Sequence, residues 1–380
     1  MTIVQQQNIY LDFNATTPIA PEVAAAMSMI LTEPFGNPSS GHWAGNAAHE
    51  TVEKARHQVA ALLHCSPDEV VFTSGGSESN NHALKGVFFS RGRTGAHIIT
   101  TQIEHPAVLN PCRFLERLGA AITYLPVDGF GQVDPDDVRR AITPHTVLVS
   151  IMHANNEVGT IQPIEKCARI AREHGVLFHT DAAQSVGKIA TDVNGLGVDL
   201  LSIAGHKLYA PKGVGVLFVR RGVRLEPLIH GAGHEGGRRA GTESALLAAG
   251  LGQACELARD LTSMDRVRAL RDHFWSELQS RFGNRIALNG HPAHRLPNTL
   301  NVSFIGRVGA EILERLDGVA ASTGSACHSG RIELSPVLEA MRVAPEVGMG
   351  AIRFSLGRGT THEEIEGVIE RLSSALAVAS

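Results

Sequence analysis

Lys207 is the residue around which a chemistry can be assembled. It follows a short apolar run, Leu200 to Ile203, that reads as a buried strand, and the chain turns through Gly205 before presenting it. Lysine is rarely buried without a purpose. Desolvated, or beside another cation, its amine gives up its proton more readily and can form a Schiff base. Upstream, Val176 to Thr180 is a second buried-strand pattern and ends in Asp181. An acid and a lysine at the ends of neighbouring strands suit pyridoxal 5′-phosphate (PLP). The lysine takes the C4′ carbon, and the aspartate keeps the pyridine nitrogen protonated so that the ring accepts electrons. Taken alone, Gly205-His206-Lys207 is equally consistent with a solvated lysine on a loop.

Other stretches can supply the rest of such a site. Val70 to Thr73 reads as a strand, and Ser74-Gly75-Gly76-Ser77-Glu78-Ser79 leads directly into a helix running to about Phe89. Small residues at a strand-to-helix turn aim backbone N–H groups at an anion, which makes Gly76 and Ser77 candidate phosphate contacts. His105 leaves the strand His97 to Thr101 at its carboxyl end, where open α/β sheets bind ligands. Thr146 to Met152 delivers Asn155-Asn156-Glu157, either a turn or part of the site. The segment Ser322 to Gly330 is built of small residues around Cys327, and a reactive thiol needs exposure and a lowered pKa. His328 beside it can assist. On the strand from Ala351, Arg353 points opposite to its apolar neighbours, as a surface salt bridge or as a bidentate partner for a carboxylate.

Asp181-Ala182-Ala183-Gln184, Gly205-His206-Lys207, Ile103-Glu104-His105 and Ser325-Ala326-Cys327, in their order and spacing, resemble the motif set of the cysteine desulfurases, PLP enzymes of fold type I (aminotransferase class V). The likeness runs from about Tyr10 to the end of the chain. Ser74 to Asn81 and Cys327-His328-Ser329 also resemble the selenocysteine lyases. The resemblance implies conversion of L-cysteine to L-alanine, with Lys207, Cys327 and His105 as catalytic groups and Cys327 carrying the sulfur as a persulfide. It assigns PLP to Gly76, Ser77, Asn156, Asp181, Gln184, His206 and Lys207, with Thr242 reaching the phosphate from a second subunit. Asn156 and Arg353 are assigned to the substrate carboxylate. A homodimer is implied, with the loop Phe35 to Ser40 near the active site at the subunit interface. So is a sulfur-acceptor protein such as an iron–sulfur scaffold. One position departs: many cysteine desulfurases have serine where this chain has Ala204, so one hydroxyl toward the phosphate is missing. That departure keeps selenocysteine lyase, releasing selenide from L-selenocysteine, as an alternative. A non-catalytic sulfur-carrier or assembly subunit is the reading from another class, and the presence of Lys207, Asp181, His105 and Cys327 argues against it.

These residues need a scaffold to bring them together. At 380 residues the chain exceeds one typical hydrophobic core. We expect a large PLP-binding domain over 15–255 and a small α+β domain from 1–14 and 256–380 that carries the cysteine loop. Strands alternating with helices predict an α/β fold whose mostly parallel sheet has helices on both faces. Gly231 to Thr242 is too glycine-rich for helix or strand. Net charge is −4, from 34 basic and 38 acidic residues without a basic run, which argues against nucleic acid or an anionic membrane as partner. No apolar stretch approaches the roughly 20 residues that span a bilayer, and Met1 to Asn8 lacks signal-peptide order, so a cytoplasmic location is expected. The five cysteines form no CxxC pair, and none of the 19 histidines lies in HExxH or paired Cys/His spacing, so no metal is expected.

Overall fold

The computed structural model describes residues 8–91, 95–323, 327–328 and 331–377, the segment 327–332 by its backbone alone. In chain order the strands are β1 (Ile9–Tyr10), β2 (Val70–Thr73), β3 (His97–Thr101), β4 (Ala121–Leu125), β5 (Thr146–Ser150), β6 (Leu177–Asp181) and β7 (Leu200–Ala204). They continue as β8 (Gly215–Val219), β9 (Ile286–Asn289), β10 (Thr299–Phe304), β11 (Val319–Ala320), β12 (Cys327–His328), β13 (Arg331–Ile332) and β14 (Ala351–Ser355). The main sheet has the order β2-β8-β7-β6-β5-β3-β4. Only β8 runs against the others, pairing antiparallel with β2 and β7.

Successive residues of these strands point to opposite faces, and both faces are covered. Ile99, Val149, Phe178 and Leu201 pack with the helices Trp43–Leu63, Ile164–Glu173 and Ala245–Ala258. Ile98, Leu148, Leu177 and Leu200 pack with Gly76–Arg91 and Pro106–Glu116. Burial on both sides is why the strands read as continuous apolar runs rather than as alternations. Some polar residues inside the sheet are paired across strands, although the buried Thr100 hydroxyl on β3 has no hydrogen-bond partner among the described residues. His179 on β6 bonds Ser150 on β5 through Nδ1 at 2.8 Å and Ser202 on β7 through Nε2 at 2.9 Å. Burial pushes its pKa down to about 3, so this imidazole is a neutral cross-strand link.

A second core belongs to the antiparallel sheet β14-β10-β9, covered by the helices Thr262–Phe282 and His362–Ala377. Ile9 and Leu11 pack into it, and β1 pairs parallel with β11. The N-terminal stretch thus ends at Asn14 between the two cores. A smaller apolar cluster of Ile103, Met152, Val158, Leu338 and Met341 joins the main sheet to the second core.

The stretch Gly231 to Thr242 forms no strand and no regular helix, because Glu235 and Gly236 take left-handed backbone conformations within the turn His234–Gly237. Its Glu235 accepts from Arg56 Nη1 at 2.8 Å and from the Phe72 N–H at 2.9 Å, so a buried carboxylate pins the segment to edge strand β2. The segment expected as a loop around Cys327 contains a short antiparallel pairing of β12 with β13; residues 324–326 and 329–330 lie outside the described residues. Among the described residues no helix is long and apolar enough to cross a membrane.

Phe354 on β14 is fully buried and meets Phe274 edge-on at 5.1 Å. Phe354→Ala is expected to cost about 3–5 kcal/mol, the range for aromatic truncation in a core. A lower urea midpoint for the transition of this region is the measurement.

Candidate active site

Strands β2, β3, β5, β6 and β7 are parallel, so their carboxyl ends open on one edge of the sheet. A cavity of about 680 Å³ lies there, within the size range of small-molecule sites. Gly76, Ser77, His105, Asn156, Asp181, Gln184, His206, Lys207 and Arg353 all line it. Thr242 does not; it is exposed and lies outside the cavity of its own chain.

Lys207 ends a 3₁₀ turn that begins where β7 stops. Its Nζ donates to the carbonyl oxygens of Asn14 and Ala15, each at 2.6 Å. Burial lowers its pKa to about 8; the Arg353 cation lowers it further, while Asp12 and Asp181 oppose. A useful fraction of this amine is therefore unprotonated near neutral pH. At the end of β6, Asp181 accepts from Asn80 Nδ2 at 2.6 Å and from the Ala183 N–H at 2.9 Å. His105 caps the helix Pro106–Glu116, its Nδ1 accepting from the Ala107 N–H at 3.1 Å. That bond leaves the proton of the neutral ring on Nε2. Loss of hydration lowers the His105 pKa, opposed by Asp181 and reinforced by Lys207.

The helix Gly76–Arg91 starts at the opposite side of the cavity. A Cβ on Gly76 would stand 3.1 Å from Ala204 Cβ, so the glycine lets this turn close on the end of β7. His206 bonds Thr16 Oγ1 at 3.2 Å. Burial takes its pKa down to about 4, with help from Lys207 and Lys212, so it is neutral. The one carboxylate here, Glu78, is held by Arg239 at 2.9 Å and by the Ser74 N–H at 2.7 Å. Burial pushes Glu78 up, but these bonds outweigh it and its pKa is lowered. Ser77, His206 and Lys212 thus line the cavity beside a helix start whose adjacent Glu78 is already ion-paired, which suits a phosphate. With Lys207 and Asp181 alongside, the donor set fits PLP.

Arg353 is buried. Its Nη2 meets Asp12 at 2.7 Å, its Nη1 meets the Asn156 carbonyl at 3.0 Å, and its Nε has no hydrogen-bond partner among the described residues. Its backbone N–H donates to Ser322 O at 2.7 Å, which anchors the start of the Cys327 segment beside it. The side chain of Cys327 lies outside the described residues. Burial pushes Cys65, Cys112 and Cys167 up to about 12, and Cys255 up further, so these four thiols are poor nucleophiles.

Sequence reasoning missed four groups, among them Asp12, the partner of Arg353. Asn14 belongs to no motif, yet its carbonyl accepts from Lys207 and Gln184, and its Nδ2 reaches Thr299 Oγ1 at 2.9 Å. Arg239 sits in the glycine-rich stretch with no signal beyond its charge. Lys188 is buried and meets no carboxylate among the described residues: its Nζ donates to Gln184 Oε1 at 2.9 Å and Asn14 Oδ1 at 3.4 Å. It fixes the Gln184 amide with its oxygen inward and its nitrogen toward Asn14. The burial of a lysine four residues after Gln184 could not be read from spacing.

Burial, and then Lys207 and Arg353, lower the Lys188 pKa from 10.5 to about 7. Between these values the folded chain binds fewer protons here than the unfolded chain, so stability from this site rises with pH. Lys188→Met removes that slope. Its stability relative to the parent should be highest near and below pH 7 and fall toward pH 10, by up to about 1.4 kcal/mol per pH unit. Parallel urea-derived stability curves for the two proteins would contradict the buried-amine assignment.

The comparisons with known proteins agree with this geometry. The family model for aminotransferase class V matches residues 9–368. A cysteine desulfurase IscS of Dictyoglomus turgidum is 50% identical over 384 aligned positions, covering 99% of this chain and 97% of that protein. A cysteine desulfurase IscS of Methanosarcina thermophila is 46% identical, over 96% and 91%. Among solved structures, a NifS-like protein superposes with a TM-score of 0.92 at 38% identity, covering 98% of this chain and all of that one. SspA in complex with cysteine gives 0.83 at 38% identity, over 93% and 100%. The chain therefore belongs to the class-V aminotransferase family, with the fold-type I architecture, in its cysteine desulfurase branch.

Proposed function

We propose that this cavity removes sulfur from L-cysteine, with Lys207, His105 and Cys327 as the reacting side chains and L-alanine as product. The observation that carries the reading is Lys207, its pKa lowered to about 8, at the same sheet edge as Asp181 and the Gly76 helix start. The relatives named cysteine desulfurase, and the relative solved with cysteine bound, support the substrate.

PLP, when bound, supplies an electron sink that acidifies the substrate α-proton and weakens the bond from Cβ to sulfur. Gly76, Ser77 and His206 would hold its phosphate, Asp181 its ring nitrogen, and Asn156 and Gln184 its 3-oxygen. Arg353, with Asn156, takes the substrate carboxylate; Asp12 then shares the guanidinium with it. The Lys207 amine removes the α-proton, and the neutral His105 ring exchanges a proton through Nε2. The Cys327 thiolate attacks the substrate sulfur: a sulfur–sulfur bond forms as the bond to Cβ breaks, and that carbon ends protonated in alanine. Cysteine plus enzyme thiol gives alanine plus enzyme persulfide, so no outside oxidant or reductant enters. The persulfide then passes its outer sulfur to an acceptor protein such as an iron–sulfur scaffold. A reducing compartment, the cytoplasm, suits this thiol chemistry.

The working unit is a homodimer in which Thr242 reaches the phosphate of the other subunit. Support comes from the exposure of Thr242 and from an apolar surface around Phe35 and Trp43, whose rings are 79% and 80% exposed.

Cys327→Ala should lose cysteine desulfuration by at least about a hundredfold, a ΔΔG‡ near 2.7 kcal/mol, while keeping the visible absorbance of bound cofactor. Mass spectrometry of the parent after brief exposure to cysteine should find the extra sulfur on the Cys327 peptide; finding it only on Cys65, Cys112, Cys167 or Cys255 would overturn the assignment. For the shared site, Lys207→Ala and Thr242→Ala subunits are mixed after each is assayed alone. Recovery of activity through one intact hybrid site is expected, and a fully active monomer in sedimentation would exclude it.

A further inference from the structure

Remote from the cavity, two helices of the second core converge through three ligand-type side chains. His273 lies midway along Thr262–Phe282, and His362 and Glu366 lie one turn apart at the start of His362–Ala377. His273 Nε2 is 2.6 Å from Glu366 Oε1, and His362 Nε2 is 3.8 Å from the same oxygen. The two imidazoles are stacked, with centroids 4.7 Å apart and planes 25° apart. One donor atom from each residue falls within 4.8 Å of the others.

We propose that His273, His362 and Glu366 form a binding site for a divalent transition-metal ion, with zinc as the reference ion. A hydrogen bond between His273 and Glu366 accounts for two of these groups but not for the third. His362 stacks on His273 and turns its Nε2 toward a carboxylate oxygen that is already engaged. A single cation placed among the three would take one ligand atom from each residue, so that the third group is used as well.

Two histidines and a carboxylate form a mixed nitrogen and oxygen set that suits zinc and its neighbours rather than calcium or magnesium. Zinc bonds of about 2.0–2.2 Å set ligand atoms about 3.3 Å apart, so the widest pair must close by roughly an ångström or more. The ligand side chains can move that far, since all three are partly exposed, with His362 at 58%. Three protein ligands leave a fourth position for water. Glu363 and Glu370, on the same helix, add negative charge nearby. Linear spacing misses the site because His273 comes from a different helix. A bound ion would cross-link the first and last helices of the region that carries Arg353.

Zinc titration of the PLP-loaded protein by calorimetry, with cobalt absorption as a second probe, tests this. One ion per chain is expected, bound through nitrogen and oxygen, so the cobalt spectrum lacks the thiolate charge-transfer band that Cys327 would give. His273→Ala and Glu366→Gln should each weaken zinc at least tenfold and leave cysteine desulfuration unchanged. His362→Gln, at an exposed helix start, provides a variant whose folding is not at risk. No binding by the parent at millimolar zinc, unchanged affinity in these variants, or a thiolate band from the bound cobalt would each overturn the proposal.

Discussion

The carbonyl oxygen of Asn14 accepts two hydrogen bonds at once, from Lys207 Nζ at 2.6 Å and Gln184 Nε2 at 2.9 Å. Its side-chain oxygen takes Asn298 Nδ2 at 3.0 Å and Lys188 Nζ at 3.4 Å, and its backbone N–H donates to Ser355 Oγ at 2.9 Å. One residue thus joins the end of β7, the turn after β6 and the second core. A backbone oxygen is well suited to this. It cannot adopt a second rotamer, and it orders the lysine amine without neutralising it as a carboxylate would. The placement of the Lys207 amine therefore depends on how the N-terminal stretch is held between the two cores.

The electrostatics follow from that arrangement. Lys188, Lys207 and Arg353 are brought together, and Asp12 and Asp181 partly offset the charge at Lys207. Glu104, next to His105, adds little opposing charge at neutral pH: burial pushes its carboxyl up to about 8, although the Met152 N–H and Thr101 hydroxyl favour the ionised form. The cavity is thereby biased toward anions, as a phosphate and an amino-acid carboxylate require. The two lysine pKa values fall because burial removes hydration that no ion pair replaces. Arg353, unlike the two lysines, has an ion pair: Asp12 occupies one edge of its guanidinium. In the proposed substrate role, Arg353 would receive a carboxylate while partly engaged.

The scaffold explains why distant motifs form one site. In a parallel sheet every strand ends at the same edge, so Gly76, His105, Asn156, Asp181 and Lys207 need only follow successive strands to share a cavity. The neutral His179 link between β5, β6 and β7 holds three of those strands in register without placing a charge in the sheet.

Much of this was legible in the chain itself. Apolar runs alternating with helical patterns determined the parallel sheet, because strands buried on both faces must be apolar throughout. The residue types at the strand ends, above all Asp181 and Lys207, determined the chemistry, because strand direction puts them on one edge. Tertiary structure alone decided the rest. Asn14, Lys188, Arg239 and Asp12 carry no local signal: each acquires its role from a partner far away in sequence or from burial. Whether a lysine amine is neutral, or an arginine is already paired, depends on the solvent it loses and the charges it meets after folding. For Arg353 both readings of the sequence meet in one side chain, since it lines the cavity and is salt-bridged to Asp12.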